Sequence, residues 1–152
     1  EDISCKTVKY VSLNELFKSS DIISLHCPLT EETYHVINKS TISQCKNGFV
    51  LINTSRGALV DSEALLEGIK SRKVGAACLD VYEEESSLFF EDHSDIVMQD
   101  DTLSLLVSMP NVIVTSHQAF LTREALNAIA ETTMQNLKDC FDGKELKNEI
   151  SV

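Results

Sequence analysis

Short apolar runs rich in β-branched residues alternate along this chain with segments whose apolar residues recur every three or four positions. A β-rich run at 8–11 leads into Ser12-Leu13-Asn14-Glu15. That is the spacing of a capping box, in which a hydroxyl accepts the amide three residues on, and it predicts a helix to about Lys18. Residues 21–27 predict a strand that stops at Pro28. A short helix is expected from Ser40, ending before Gly48, which suits a C-terminal cap. The unbroken apolar run 49–52 reads as a strand buried on both faces. Asp61 or Ser62 can cap a helix that carries Leu65, Leu66 and Ile69 on one side. Strands are expected again at 75–81 and 112–115. The longest helix is expected from about 122 to 141, where Leu126, Ile129, Ala130, Met134, Leu137 and Phe141 recur at helical steps before Gly143. Strands separated by helices make βαβ units, so the expected fold is α/β, a Rossmann-like, mostly parallel sheet flanked by helices.

Composition narrows the function classes. At 152 residues, 43% hydrophobic and 24% charged, the chain has the make-up of an ordinary folded domain, or one domain with part of a second. Its 24 acidic and 13 basic residues leave a net charge of −11, which repels phosphate backbones and anionic headgroups. Nucleic acid and membrane are therefore not expected partners, and no apolar run nears the ~20 residues of a membrane span. The chain opens Glu1-Asp2-Ile3 without a basic or apolar leader. Cys5, Cys27, Cys45, Cys78 and Cys140 are odd in number, widely spaced and free of C-x-x-C pairs, which fits a reducing, cytoplasmic setting rather than a disulfide frame or zinc site. No histidine pair has metal-ligand spacing, so no metal is expected.

One stretch breaks the rhythm. From Val74 to Thr122 there is no Lys or Arg, while acids crowd 80–101. The plain reading is a long solvated loop; the sharper one is that so long a connection in a compact domain serves function or an interface.

Ligands of open parallel sheets sit beyond the carboxyl ends of the strands. Arg56, an acid among residues 80–85, and His117 all follow strand ends, so they can meet at one crevice. Taken singly, each has a plainer reading: Arg56 as a carboxylate's partner or a helix cap, the acids as surface charge, His117 as a packed or exposed ring. Together they supply an anion clamp, a tuning carboxylate and a proton donor. A guanidinium fork holds a carboxylate bidentately, and a carboxylate bonded to imidazole favours the imidazolium that can donate a proton. His26 is a weaker candidate for a cofactor wall, and His35 and His93 are expected to be solvent-exposed. Cys45 has an adjacent base, Lys46, and coincidence is the simpler account.

Three segments carry a resemblance: Asn53-Thr54-Ser55-Arg56-Gly57-Ala58-Leu59-Val60-Asp61, Ala76-Ala77-Cys78-Leu79-Asp80-Val81-Tyr82-Glu83-Glu84-Glu85, and Ser116-His117-Gln118-Ala119-Phe120. In order and interval they resemble the D-isomer-specific 2-hydroxyacid dehydrogenases, across essentially the whole chain. The acidic insertion with Leu88-Phe89-Phe90-Glu91-Asp92 and the ending His117-Gln118-Ala119-Phe120-Leu121-Thr122 are most like the family's D-lactate branch. The resemblance implies NAD as cofactor and a small 2-keto or 2-hydroxy acid as substrate. It makes His117 the general acid on the pyruvate carbonyl, Glu85 the carboxylate that tunes it, and Arg56 the substrate clamp. Glu85 is preferred over its neighbours Glu83 and Glu84 by family spacing alone. Asp80 matches the residue bonded to the nicotinamide carboxamide, and Cys27, Pro28, Thr33, Thr54, Ser55 and Arg56 match cofactor-lining positions. Phe120 matches an aromatic beside the substrate methyl.

The departure lies at the front. No G-x-G-x-x-G turn occurs in the chain, and the family's substrate domain has no counterpart in it. The expectation is therefore a carboxyl-terminal portion of a longer enzyme: residues 1–120 as the second part of an NAD-binding domain, and 121–152 as a helix and tail returning towards the absent substrate domain. Without the glycine turn the helix N-terminus that receives pyrophosphate is missing, so weak or absent NAD binding and no activity are expected of the chain alone. The resemblance also implies a homodimer. Two alternatives stay open: a dehydrogenase for another D-2-hydroxy acid, and a non-catalytic NAD-sensing module of the same fold.

Overall fold

The computed structural model describes residues 8–84 and 100–150. Four parallel strands lie in the order in which the chain makes them: β1 (Ile22–Leu25), β2 (Phe49–Asn53), β3 (Val74–Leu79) and β4 (Val112–Val114). Between them run α2 (Lys39–Gln44), α3 (Ser62–Lys70) and α4 (Asp101–Ser108), with α1 (Leu13–Ser19) before the sheet and α5 (Arg123–Phe141) after it. The expected α/β architecture is therefore the one present.

Local chemistry explains most helix starts. Ser12 accepts the Glu15 amide, but the Glu15 carboxylate leaves the expected box and pairs with Lys9 at 3.1 Å. The reciprocal box forms instead at α2, where the Asn38 side chain takes the Thr41 amide and the Thr41 hydroxyl takes the Asn38 amide. Asp61 caps α3 through the Ala64 amide, and Thr122 caps α5 through the Ala125 amide. Each such cap stabilises a helix by about 1 kcal/mol because it satisfies an otherwise orphaned N–H.

The core lies between the sheet and the helices. Ile23 and Leu25 of β1, Phe49 and Leu51 of β2, and Ala77 and Leu79 of β3 pack against Ile42, Leu65, Ile69, Leu103 and Leu106. Burying a side chain of this size contributes about 1.5–3 kcal/mol.

Several expectations are corrected. The β-rich run at 8–11 forms no strand, and Val8, Tyr10 and Val11 are exposed because no neighbour pairs with them among the described residues. Strand β2 is fully covered on only one face: Phe49, Leu51 and Asn53 are buried, while Val50 and Ile52 are half-exposed. Gly48 does not cap α2, whose cap is Cys45; at φ 78° it turns the chain into β2, donating its amide to Lys73. The stretch read as one solvated loop contains α4, capped by Asp100 and holding Leu103 and Leu106 in the core.

The chain divides into two compact units, Glu1–His117 and Gln118–Val152. The second carries α5, a helix with no buried residue, its apolar stripe of Leu126, Ile129, Met134, Leu137 and Phe141 exposed. Among the described residues, no helix is long and apolar enough to cross a membrane.

Candidate active site

Parallel register brings the ends of the strands level. Leu25 of β1 lies beside Asn53 of β2, Asn53 beside Leu79 of β3, and Leu79 beside Val114 of β4. The loops that follow therefore emerge along one edge, and backbone bonds lock them there. The Asp80 amide donates to the Asn53 carbonyl at 2.9 Å, and the His117 amide donates to the Asp80 carbonyl at 2.5 Å. The Thr115 amide closes the ladder on Leu79.

Asn53 is the hub of the β2 loop. Its side chain is 1% exposed; Nδ2 donates to the Arg56 carbonyl at 2.9 Å and Oδ1 accepts the Ser55 amide at 3.1 Å. These bonds satisfy the Ser55 amide and the Arg56 carbonyl just past the strand end, and they fix the turn that presents Arg56. The Ser55 hydroxyl reaches across to the Cys27 carbonyl at 2.7 Å, joining the loops after β1 and β2. Arg56 itself is exposed, with Nη1 on the Ser55 carbonyl at 2.7 Å. Gly57 follows at a point where a Cβ would fall on the Tyr82 carbonyl, so this residue's missing side chain is what lets the β2 and β3 loops touch.

Asp80 is a buried carboxylate, 5% exposed, and its Oδ1 accepts the Thr115 hydroxyl at 2.5 Å. Ser116 and His117 are consecutive non-glycine residues in the left-handed region, at φ 53° and 56°. The backbone thus turns sharply where the candidate imidazole is presented. Thr33 holds a small turn, accepting the Thr30 amide and donating to the Pro28 carbonyl at 2.8 Å. Thr54 and Pro28 are exposed, and Cys27 is half-buried.

The structure thus places Cys27, Pro28, Thr33, Thr54, Ser55, Arg56, Asp80 and His117 after the carboxyl ends of β1 to β4. Glu85 and His93 lie outside the described residues. Phe120 belongs to the second unit and is exposed. His26 bonds the Ser24 hydroxyl through Nε2 at 2.8 Å. His35 is not solvent-exposed as expected: it is half-buried, with Nε2 2.6 Å from Oε1 of Glu83. Cys45 is buried, its thiol on the Thr41 carbonyl, and burial pushes it up from the usual thiol range. The roles of Asn53 and Thr115 escaped the sequence reading; a single amide side chain closing an apolar strand was the available signal for the first.

The donor set suits a nicotinamide nucleotide. Small side chains (Cys27, Thr33, Thr54, Ser55) follow the ends of β1 and β2. The buried Asp80 carboxylate adds acceptor oxygens at the same edge.

A parallel sheet with these groups at its carboxyl edge defines a dinucleotide-binding α/β domain. The family model for the NAD-binding domain of D-isomer specific 2-hydroxyacid dehydrogenases matches residues 1–119, and the chain belongs to that family. It is 52% identical over 143 residues to a D-lactate dehydrogenase of Escherichia coli, covering 94% of this chain and 44% of that protein. It is 48% identical over 132 residues to an aromatic 2-oxoacid reductase of Clostridium sporogenes, covering 87% and 40%. Among solved structures, the pyruvate reductase of Chlamydomonas reinhardtii superposes with a TM-score of 0.88 at 45% identity, over 97% of this chain and 47% of that one. The chain thus spans under half the length of these relatives and corresponds to their carboxyl-terminal portion.

Proposed function

We propose that this chain is the carboxyl-terminal part of an NAD-dependent dehydrogenase that reduces pyruvate to D-lactate. The observation that carries the reading is the backbone ladder Asn53–Asp80–His117, which draws the loops bearing Arg56 and His117 to one rim. The E. coli and Chlamydomonas relatives named for D-lactate and pyruvate support the substrate. NADH, when bound, supplies the hydride. His117 delivers a proton to the carbonyl oxygen as the alcohol forms, and withdraws it in the reverse direction. Arg56 clamps the substrate carboxylate and polarises the adjoining carbonyl. Glu85 holds the imidazole of His117. Asp80 orients the carboxamide, while Cys27, Pro28, Thr33, Thr54 and Ser55 line the cofactor's wall. Residues 121–152 return towards a substrate domain, and the full-length protein works as a cytoplasmic homodimer. The isolated chain is inactive, because it has no glycine turn to receive the pyrophosphate.

The test is His117→Asn in the full-length protein. Turnover of pyruvate falls by ~10²–10⁴-fold, the loss typical of a missing acid–base group, while NADH affinity stays close to wild type. Unchanged turnover refutes the assignment. The 48% identity to the aromatic 2-oxoacid reductase favours one second reading, a bulkier 2-keto acid. Steady-state assays with pyruvate, 2-ketoisocaproate and phenylpyruvate separate the two by kcat/KM.

A further inference from the structure

Glu83, the first of three adjacent acids, is gripped by three described side chains from two other segments. Its Oε1 lies 2.6 Å from Nε2 of His35 and 3.4 Å from the Tyr34 hydroxyl, and its Oε2 receives the Ser62 hydroxyl at 3.4 Å. The pair is half-buried, with side chains 26% and 21% exposed for His35 and Glu83. The Tyr34 ring stacks on the imidazole at 3.9 Å between centroids. His35 adopts the left-handed conformation at φ 48°, and its amide donates to the Ala58 carbonyl at 2.9 Å. A non-glycine residue holds such a φ only where its surroundings impose it.

The clasp joins segments that matter to the proposed site. Tyr34 and His35 end the turn that Thr33 closes on Pro28. Glu83 follows Asp80 by three residues and precedes Glu85 by two, and its backbone is seated against Gly57, next to Arg56. Beyond the clasp, the Ile37 bridge to Val60 pairs the chain just past that turn with the strip that follows β2. On the reading above, we propose that Glu83 is a positioning residue: its carboxylate, through His35, Tyr34 and Ser62, ties the cofactor-lining turn 28–35 to the segment that leaves β3. It touches neither substrate nor cofactor. It acts by holding Thr33 and Pro28 where the nucleotide meets them.

The experiment uses the full-length enzyme with Glu83→Ala and Glu83→Gln. Losing one charge-assisted bond raises the NADH dissociation constant and its KM about five- to tenfold in Glu83→Ala, with kcat at saturating NADH retained. The amide of Glu83→Gln still accepts from Tyr34 and His35, so it restores affinity to within about twofold. A purely structural role would instead lower the active fraction, and so kcat, with KM unchanged; that pattern overturns the proposal. His35→Gln gives a second route should Glu83→Ala fail to fold, and an NADH affinity equal to wild type in His35→Gln overturns it equally. Hydrogen exchange of the nucleotide-free protein reads the clasp itself. Exchange at the Tyr34 and Val36 amides rises in Glu83→Ala and in His35→Gln and stays near wild type in Glu83→Gln, while the Leu51 and Ala77 amides stay protected; no rise in Glu83→Ala or His35→Gln overturns the clasp. A wild type that binds no NADH overturns the dehydrogenase reading and the cofactor role of Glu83 together, and leaves the exchange result to decide the clasp.

Discussion

Gly57→Ala tests whether the rim is built by backbone contact. A methyl at this position would fall on the Tyr82 carbonyl carbon and oxygen and meet the Glu83 nitrogen at 2.5 Å. These are backbone atoms, and the Tyr82 side chain behind them is 4% exposed, so no flexible group can step aside. The two loops must separate by about an ångström. Overpacking of this kind costs about 1–3 kcal/mol, and the rigidity of both partners puts Gly57→Ala at the upper end. At about 2–4 °C per kcal/mol for a domain of this size, 3 kcal/mol lowers the unfolding midpoint by roughly 6–12 °C. The functional loss is larger in proportion, since Arg56 precedes the glycine and Glu83 meets it. A displacement of about 1 Å at a substrate-holding group costs on the order of 10²-fold in kcat/KM. Calorimetry and steady-state kinetics on the full-length protein measure both. A midpoint within about 1 °C of wild type, or kcat/KM within about twofold, refutes the idea that the glycine seats these loops against each other.

Two further outcomes follow from the same contacts. Arg56→Lys keeps the charge but loses the planar fork, so the KM for pyruvate rises about tenfold or more; an unchanged KM for pyruvate removes the clamp assignment. Tyr82 is buried with its hydroxyl 2.8 Å from the Asp100 carboxylate, and burial followed by that carboxylate raises its pKa well above the ordinary 10.0. A raised folded-state pKa means that its contribution is complete below pH 10.0 and is lost as pH rises further, because the unfolded phenol ionises first. Urea denaturation therefore shows an alkaline decline above about pH 10 that is shallower in Tyr82→Phe; equal slopes refute the assignment.

Much of the fold is legible because hydrophobic period and caps agree: Asp61 with the Leu65, Leu66, Ile69 face, or Thr122 before a five-turn stripe. What was hidden has identifiable causes. Helix α4 is only eight residues long, and its Leu103 and Leu106 sit in an acidic stretch that reads as solvated. The run at 8–11 has strand propensity, yet a strand exists only by pairing, and no partner lies beside it among the described residues. At the rim, strand polarity alone places Arg56 and His117. The His35–Glu83 pair spans 48 residues, and nothing local in either segment announces it. The work of Asn53 depends likewise on register, since its carbonyl meets the Asp80 amide only when Asn53 lies level with Leu79.

The strained turn before α5 shows how the fold spends stability on geometry. Two successive left-handed residues cost on the order of 1 kcal/mol each, and neither Ser116 nor His117 has glycine's freedom. A glycine at either position would relieve that cost, so the side chains must be wanted there or the turn must be imposed. The imposition is visible: the His117 amide is bound to the Asp80 carbonyl, the Thr115 hydroxyl to the Asp80 carboxylate and the Thr115 amide to Leu79. Asp80 is in turn fixed by Asn53, and Asn53 fixes the turn that bears Arg56. Backbone bonds of about 1 kcal/mol each, repeated along this ladder, offset the strain and hold the main chain of His117 in place. In the proposed role of His117 as proton donor, that restraint fixes the point from which the imidazole reaches the carbonyl oxygen before substrate arrives.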